Sequence, residues 1–293
     1  MNVPSASIDL HLHSTSSDGK LSPTAVVQLA ATRGLDLIAL TDHDTLRGVE
    51  EAQAAGREHG IAVLAGIELS GRYPDGQCHL LAWLPDPVPA AFLDWTHVKE
   101  RDREARAREM VERLQSLGLD LTWDDVRAAA EFNIGRPHVA DALVKIGAAT
   151  SRKDAFARWI GGDCPGYVPS GKTEPTEIIE RVVEAGGLIS LAHPYSLKLD
   201  HSDLDAYVQR LADAGLCAIE AHRPDQDPAT QQAYRALAER HGLLVSTGSD
   251  FHDLEREEQR QRPLGGSGEP GIAADDLEAL LSRLPGARDA LAG

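Results

Sequence analysis

Short apolar segments recur along this chain, and a histidine or an acidic residue follows nearly every one of them. Segments with helical character separate most of these runs, and such alternation is typical of βαβ units. We therefore predict an α/β fold with a largely parallel sheet or barrel. Its expected strands lie at residues 8–14, 35–40, 61–67, 78–84, 188–192, 216–220 and 243–247. At 293 residues, the chain is long enough for one such barrel with a substantial core.

The first apolar segment carries two histidines one residue apart, His11 and His13, shortly after Asp9. Side chains at positions i and i+2 of a β-strand point to the same face, so these three residues would project together and bind one metal ion. Two solvated histidines are the alternative, because the motif by itself is short. The later segments favour the metal site, since similar residues follow them.

Histidine and acidic residues stand at the ends of the later strands as well. In a parallel α/β barrel the carboxyl ends of the strands share one face, where functional side chains gather. The residues at such ends are His11, His13, His43, Glu68, His193, Asp250 and His252, and His79 enters from a neighbouring strand. A structural zinc site is excluded, because it closes with four ligands and is usually rich in thiolates. The set suits two or three ions, and imidazole with carboxylate favours Mn²⁺, Zn²⁺ or Fe²⁺ over Mg²⁺ or Ca²⁺.

Clustered divalent ions indicate hydrolysis of a phosphate ester, since a pair of ions shares a hydroxide and clamps the phosphoryl oxygens. In this interpretation the nucleophile is the metal-bound hydroxide, and no side chain is assigned a catalytic role. Amide hydrolysis is chemically possible with the same ligands.

The alternation of strands and helices is interrupted in the middle of the chain. A charged helix is predicted over 89–118, and its mixed arginine and acidic residues indicate a solvated face supported by ion pairs rather than a nucleic-acid patch. Short helices follow, and no long strand pattern returns before residue 188. We interpret residues 90–182 as a helical insertion or cap domain, placed over a discontinuous barrel of residues 1–89 and 183–293.

Local signals predict where several elements begin and end. Ser22 is expected to cap a helix that ends near Gly34, and Thr45 to cap one that runs to about Gly60. The polar, glycine-rich stretch 253–271 is expected to be a flexible loop.

Composition limits the partners and the compartment. The net charge of −17 argues against a broad contact with duplex nucleic acid or an anionic membrane. It permits a phosphorylated substrate, because bound divalent cations reverse the local field. The three cysteines lie far apart, and neither a secretion signal nor a membrane-length apolar run stands out, so we expect a cytoplasmic protein. No stable protein partner is predicted.

Several motifs resemble those of the PHP (polymerase and histidinol phosphatase) family. They are Asp9-Leu10-His11-Leu12-His13-Ser14 with Asp18-Gly19, Leu40-Thr41-Asp42-His43-Asp44, Gly66-Ile67-Glu68, Ala192-His193-Pro194 and Gly248-Ser249-Asp250-Phe251-His252. The resemblance covers about 1–84 and 186–252, and it implies a distorted (β/α)₇ barrel with a trinuclear metal centre. Matched position by position, it implies metal ligands at His11, His13, Asp18, His43, Glu68, His79, His193, Asp250 and His252. Asp18 departs in part from the family pattern, since many members have histidine near that position. The alternative to a ligand role is that Asp18 forms a turn with Gly19.

The insertion carries a second resemblance. Gly135-Arg136-Pro137-His138, followed by Gly166-Tyr167-Val168-Pro169, is similar to the branch that contains nucleoside 3′,5′-bisphosphate phosphatases and a related 5′-to-3′ exoribonuclease. Arg136 is suited to bind a phosphate through two parallel hydrogen bonds, and the helix N-terminus at Pro137 adds free amide donors. His138 is expected to contact the same phosphate. The alternative is that Arg136 only ties the cap to the barrel.

Three other residues have two interpretations each. His222 would lie near the metal face, either behind the ligands or facing solvent. Trp159 and Tyr167 would either stack on a nucleotide base or pack the cap.

These observations predict a metal-dependent phosphoesterase that hydrolyses the 3′-phosphate of nucleoside 3′,5′-bisphosphates. Three divalent ions are expected, Mn²⁺ first, with Zn²⁺ or Fe²⁺ as alternatives. A 5′-to-3′ exoribonuclease that trims 5′-phosphorylated RNA ends is the nearest alternative, and the acidic composition favours the small nucleotide slightly, because a long strand calls for a basic track. A non-catalytic metal-binding PHP module would show gaps in the ligand set. A histidinol phosphate phosphatase fits the metal motifs but not the cap motif at 135–138.

Overall fold

One mixed sheet of seven strands, in the order of the sequence, forms the centre of the molecule. The computed structural model describes residues 6–73, 78–128, 130, 133–169, 173–260, 263–265 and 272–292. The strands are β1 (Ile8–Leu12), β2 (Leu37–Leu40), β3 (Ala62–Gly71), β4 (Cys78–Trp83), β5 (Leu188–Leu191), β6 (Ala218–His222) and β7 (Leu244–Thr247). The sheet curls until Leu12, at the end of β1, forms a parallel bridge with Phe251, after β7. The predicted α/β class and distorted barrel are confirmed.

Strand β4 departs from the predicted parallel arrangement. It pairs antiparallel with both β3 and β5, whereas the other neighbouring strands pair in parallel. The reason is the short connection at residues 72–77, since a return crossover to a parallel strand needs a dozen residues or more. As a result the start of β4 lies beside the end of β3, and His79 lies opposite Ser70.

Helices cover the sheet and build the insertion. They are α1 (Pro23–Thr32), α2 (Val49–His59), α3 (Ala90–Ser116), α4 (Trp123–Arg127), α5 (Arg136–Lys145), α6 (Arg152–Ala155), α7 (Pro175–Glu184), α8 (His201–Asp213), α9 (Pro228–Arg240), α10 (Leu254–Arg260), α11 (Ala274–Arg283) and α12 (Ala287–Ala292). Helix α6 continues into a π-helical turn, Phe156–Ile160. Within the described ranges, no helix combines the length and the apolar character that crossing a membrane requires.

One of the two predicted helix caps is confirmed and the other is wrong. The Ser22 hydroxyl accepts the N–H of Ala25 at the start of α1. Helix α2 begins at Val49, after Gly48, so Thr45 does not cap it. The Thr45 hydroxyl instead donates to Glu100 Oε1 at 2.5 Å, because α3 brings that carboxylate over the loop.

The stretch 253–271, predicted to be a loop, contains helix α10 in its described part. Its sequence consists mainly of strong helix formers, and Glu255 and Glu257 occupy the first turn, where acidic side chains stabilise a helix. Glu257 also accepts a hydrogen bond from Arg33 Nη2 at 2.9 Å, which attaches α10 to the end of α1. Residues 261–262 and 266–271 of this stretch lie outside the described ranges.

The insertion has a hydrophobic core of its own, in which Leu114, Val139 and Leu143 are fully buried. Phe92, near the start of α3, and Ile178 of α7 pack into the barrel core instead. Both helices therefore join the two parts. The division into a barrel at 1–89 and 183–293 and a cap at 90–182 is retained as a proposal.

Candidate metal centre

Nine side chains of histidine, aspartate and glutamate meet at one end of the sheet. Each offers a ligand atom to at least one of four groups, whose atoms lie within 4.8 Å of one another. The groups are His13, Asp18, His43 and His252; His11, His13 and Asp250; His11, Glu68 and His193; and His43, Glu68 and His79. These are the nine residues expected to be ligands from the sequence. Because the groups share members, the geometry suits several neighbouring ions better than a single one.

His11 and His13 face the same carboxylates, as expected for alternate residues of a strand. His11 Nε2 lies 3.5 Å from Glu68 Oε1 and 3.6 Å from Asp250 Oδ1. His13 Nε2 lies 3.3 Å from Glu68 Oε2 and 3.4 Å from the same Asp250 oxygen. The expectation that Asp9 joins them is wrong, because its carboxylate accepts the backbone N–H groups of His11, Ser249 and Gly265 at 3.2, 3.0 and 2.8 Å.

Glu68 lies at the centre of the cluster and is fully buried. Its Oε1 is 2.9 Å from both His79 Nδ1 and His193 Nε2, and its Oε2 is 2.9 Å from His43 Nδ1. Burial opposes ionisation, but electrostatic interaction with the surrounding imidazoles holds the pKa of Glu68 well below its usual value. An ionised carboxylate with both oxygens directed at imidazoles is suited to bridge two cations.

Asp18 points into the cluster rather than back into its own turn. Its Oδ1 lies 3.3 Å from His252 Nε2, 3.8 Å from His43 Nε2 and 4.0 Å from His13 Nδ1. The turn with Gly19 is held by the backbone, since the Gly19 N–H donates to the Ser14 carbonyl at 2.9 Å. The aspartate side chain is therefore available to the cluster.

Left-handed backbone conformations occur beside the cluster. His193 has φ 27° and Asp250 has φ 56°, and Asp44, next to His43, has φ 54°. Such conformations cost roughly 1–3 kcal/mol each in a non-glycine residue and collect at functional sites. Here the left-handed residues are two members of the cluster, His193 and Asp250, and the neighbour of a third member, His43.

The unsatisfied polar atoms of the cluster test whether it fits metal ions. Buried side-chain atoms without a hydrogen bond of acceptable geometry include His11 Nε2, His13 Nδ1 and Nε2, Asp18 Oδ1, His43 Nδ1, Glu68 Oε2 and His79 Nδ1. Each such atom costs about 1–3 kcal/mol when left unpaired. Coordination satisfies nitrogen and carboxylate oxygen together, so the residues present fit divalent ions.

The electrostatics of the cluster favour bound cations. Burial lowers the pKa of His43 to about 4 and also lowers the pKa of His193 and His252, so these imidazoles are neutral, the form that binds metals. Burial opposes a charge on His13 as well, yet the nearby carboxylates of Asp250 and Glu68 raise its pKa to about 9. The carboxylates thus make this pocket attractive to positive charge.

Glu220 and Arg223 form a fully buried layer behind the cluster, and the sequence had not indicated either as functional. Glu220 Oε1 lies 2.8 Å from His11 Nδ1, and its Oε2 accepts from His193 N and Arg223 Nη1, both at 2.8 Å. Arg223 Nη2 also donates to Asp250 Oδ2 at 3.3 Å. Burial opposes ionisation, but the charges of Arg223 and His11 lower the pKa of Glu220 to about 2. The one available signal was the position of Glu220 at the end of a predicted strand.

The cap brings His138 to a cleft beside the barrel loop at residues 15–20. His138 Nδ1 accepts the N–H of Gly135 at 3.0 Å, so a neutral ring carries its proton on Nε2. Burial lowers the pKa of His138 to about 4, which keeps the ring neutral. The cleft has a volume of about 630 Å³, and Ser17, Lys20 and Arg127 also line it.

Arg136 is held between aromatic rings of the cap. Its guanidinium carbon lies 5.4 Å from the Phe156 ring centroid and 5.8 Å from that of Tyr167. Trp159 donates from Nε1 to the Ala148 carbonyl at 3.0 Å. In this structure Tyr167 and Trp159 therefore pack the cap.

The inner face of α3 contradicts the expectation of a solvated charged helix. Arg108 and Arg113 do form exposed i,i+4 pairs with Glu104 and Glu109. The inner face instead directs Lys99, Arg103 and Arg106 toward the barrel, where Arg103 Nη1 donates to Asp44 Oδ2 at 3.1 Å. Their helical spacing places the three cations on one face, but the sequence alone does not show that this face docks on the barrel.

His222 does not face solvent, which was one of its two expected places. It is buried, and Nδ1 lies 3.2 Å from Gln231 Oε1. It contributes to none of the four groups in the described part of the chain.

Comparisons with known proteins agree with this geometry. The family model described as PHP domain matches residues 9–93. A 3′,5′-nucleoside bisphosphate phosphatase from Chromobacterium violaceum is 33% identical over 249 residues, covering 84% of this chain and 87% of that protein. A 5′-3′ exoribonuclease from Haemophilus influenzae is 31% identical over 244 residues, covering 83% and 89%. The crystal structure of a candidate metal-dependent phosphoesterase from Bifidobacterium adolescentis superposes with a TM-score of 0.79 at 34% identity, covering 96% of this chain and 97% of that one.

Proposed function

The chain belongs to the PHP family and is a metal-dependent phosphoesterase, and from this premise we propose that it removes the 3′-phosphate from nucleoside 3′,5′-bisphosphates. The observation that carries the proposal is the cluster of nine side chains, in which buried nitrogen or oxygen atoms of six members lack hydrogen-bond partners. A non-catalytic module would have gaps in this set, and all nine positions carry residues able to bind metal.

We propose that the nine residues hold three divalent ions, with Mn²⁺ as the first choice and Zn²⁺ or Fe²⁺ as alternatives. The ligands would be His11, His13, Asp18, His43, Glu68, His79, His193, Asp250 and His252. The mixture of imidazole and carboxylate supports this choice of metals. When bound, such ions polarise phosphoryl oxygens and lower the pKa of water.

The surrounding residues orient the ligands and the substrate. Glu220 fixes the ring of His11 through Nδ1, which directs Nε2 toward Glu68 and Asp250. From the cap, His138 presents an Nε2 proton that is suited to donate to a phosphate oxygen. Arg136 is half-buried and adds a fixed positive charge on the same helix. We propose that both cap residues bind substrate phosphate.

The exoribonuclease activity remains a second candidate because of the shape of the cleft. Arg127 lines the cavity beside His138 and also a neighbouring cavity of about 310 Å³ that contains Arg47 and Arg101. A nucleic-acid strand longer than one nucleotide would follow this path. The relatives named for each activity support both candidates equally.

We also propose a cytoplasmic location for the enzyme. All three cysteines are free, and they lie apart in the fold, Cys78 in β4, Cys164 in the cap and Cys217 before β6. Free thiols are typical of a reducing compartment.

The deciding experiment gives the Mn²⁺-loaded protein two substrates in parallel, adenosine 3′,5′-bisphosphate and a short 5′-phosphorylated oligoribonucleotide. Phosphate released from the bisphosphate alone supports the phosphatase. Mononucleotides released efficiently from the oligomer identify an exoribonuclease. Asp250→Ala should abolish either activity, and a wild-type protein that hydrolyses neither substrate would return the non-catalytic module to first place.

A further inference from the structure

Three cations on one face of α3 lie next to the proposed metal centre. Lys99, Arg103 and Arg106 are spaced four and three residues apart, so they share the side of the helix that faces the barrel. The exposed fraction is 5% for Lys99 and 9% for the Arg103 side chain. Opposite them are Asp44, one residue after His43, and Ser70, two residues after Glu68.

The hydrogen bonds of this cation cluster (Lys99, Arg103 and Arg106) are incomplete. Lys99 Nζ donates to the Ser70 carbonyl at 3.1 Å, and Arg106 Nε donates to the Val168 carbonyl at 2.9 Å. Arg103 Nε and Arg106 Nη2 are buried and have no hydrogen-bond partner. A buried N–H of a charged group that lacks an acceptor is costly, so these two atoms indicate a missing acceptor.

The charge balance of the cation cluster points to an anion. Asp44 is already engaged by the Ser70 N–H and hydroxyl, both at 2.8 Å, as well as by Arg103. Burial, together with the neighbouring charges of Arg136 and Arg103, lowers the pKa of Arg106 to about 9, so the residue still carries its charge at neutral pH. Two further carboxylates, Asp102 and Glu109, line the same space, but Glu109 is exposed and pairs with Arg113, which leaves three cations facing two carboxylates.

The size of the space limits the anion. Arg103, Arg106, Ser70 and Val168 are among the residues that line a cavity of about 130 Å³. Whole-ligand pockets usually measure about 300–1,000 Å³, whereas one water molecule takes about 30 Å³ of liquid. The cavity therefore suits a single phosphate group and excludes a nucleoside.

We propose that Arg103 and Arg106 form a subsite for the second phosphate of the substrate, the one that is not transferred, while the reacting phosphate lies at the metal centre. This inference rests on the proposed function and deepens it. The phosphate is the 5′-phosphate of the nucleoside to be cleaved, which a nucleoside 3′,5′-bisphosphate and a 5′-phosphorylated RNA end both carry. The subsite thus gives either substrate the same anchor and makes the 5′-phosphate a requirement for fast turnover.

The test compares Arg106→Gln with Arg108→Gln on the Mn²⁺-loaded protein. Arg108 lies on the exposed side of the same helix and pairs with Glu104, which makes it a matched control. With adenosine 3′,5′-bisphosphate, Arg106→Gln should lower kcat/KM about 10- to 100-fold, the effect of one lost charge-assisted hydrogen bond or two. With adenosine 3′-monophosphate it should change nothing, and Arg108→Gln should match the wild type on both substrates.

Two further arms complete the experiment. Equilibrium binding of adenosine 5′-monophosphate should weaken by the same factor in Arg106→Gln, and Arg106→Lys should restore part of it. Comparing the rates at which the wild type hydrolyses oligoribonucleotides with a 5′-phosphate and with a 5′-hydroxyl shows whether the 5′-phosphate of an RNA end occupies the subsite. Circular dichroism and the Tm verify that each variant is folded.

The outcomes separate the subsite from the proposed function. Equal losses on the bisphosphate and the 3′-monophosphate in folded Arg106→Gln, or no loss on either, would overturn the subsite and leave the function standing. If the wild type hydrolyses none of the substrates, the proposed function fails. In that case unchanged binding of adenosine 5′-monophosphate by Arg106→Gln overturns the subsite as well, whereas weakened binding supports it.

Discussion

The carboxylate of Glu220 lies 2.8 Å from Nδ1 of His11, and both side chains are fully buried. The same carboxylate accepts the backbone N–H of His193 and a guanidinium N–H of Arg223. One residue of β6 therefore holds members of the cluster that come from β1 and from the end of β5. Because Nδ1 of His11 is occupied in this way, its Nε2 is left to face Glu68 and Asp250.

We predict that Glu220→Gln weakens metal binding about 10- to 100-fold, the usual effect of removing a hydrogen-bonding carboxylate behind a metal-binding histidine. The amide keeps the shape of the side chain but loses the charge that orients His11 and balances Arg223. Isothermal titration calorimetry, in which Mn²⁺ is added to the metal-free protein, measures the affinity. Glu239→Gln, an exposed change on α9, is the control. Equal affinities for Glu220→Gln and the wild type would contradict the positioning role.

Gly248→Ala should disrupt the contact between His11 and Glu220, because the added methyl group has no room beside them. A Cβ at this position would lie 2.3 Å from Cβ of His11 and 2.9 Å from Glu220 Oε1, closer than atoms can approach. We expect a loss of about 1–3 kcal/mol in the free energy of unfolding, together with a lower metal content. Urea denaturation and elemental analysis measure the two effects. At Gly162 an added Cβ would meet nothing within 4 Å, so Gly162→Ala should leave both quantities unchanged.

Asp18→Asn tests the ligand that departs from the family pattern. Asp18 belongs to one group only, with His13, His43 and His252, whereas the other three groups do not include it. Metal analysis after equilibrium dialysis should therefore find one ion fewer per chain than in the wild type. The exposed Asp163→Asn provides the control. A wild-type metal content in Asp18→Asn would contradict a ligand role for Asp18.

The position of the cluster could be predicted from sequence because strand geometry fixes it. Alternate residues of a strand share a face, and strand ends share an edge, so His11, His13 and Glu68 needed no tertiary information. Their binding of metal is still a prediction. The direction of β4 was also accessible, since the connection before it is too short for a parallel crossover.

Other parts of the site depend on packing that no local pattern encodes. The charged residues of α3 alternate in sign, and only the docking of the helix decides that Arg103 and Arg106 face inward while Arg108 faces solvent. Arg223 follows a strand end without any periodic signal, and its burial results from contacts with Glu220 and Asp250, which are distant from each other in sequence.

His138 makes the stability of the cap depend on pH. Burial lowers its pKa to about 4, from an ordinary value near 6.5, with Asp18 opposing the shift and Arg103 adding to it. The unfolded chain therefore binds more protons than the folded chain between these two values. This contribution to stability is present above about pH 6.5, falls as the pH decreases, and is exhausted below about pH 4.

On acidification from pH 7 to pH 5, His138 becomes protonated in the unfolded chain but stays neutral in the folded one. We predict that this difference alone lowers the free energy of unfolding by about 2 kcal/mol. His138→Asn is the informative variant, because its side-chain oxygen can replace Nδ1 as the acceptor for the Gly135 N–H but does not titrate. Urea denaturation of wild type and variant in the presence of a chelator yields the difference at each pH, and the metal-site histidines common to both proteins cancel. The wild type should lose about 2 kcal/mol more than His138→Asn on acidification. Parallel losses in the two proteins would mean that His138 titrates normally, and its ring would then be charged rather than neutral at the lower pH.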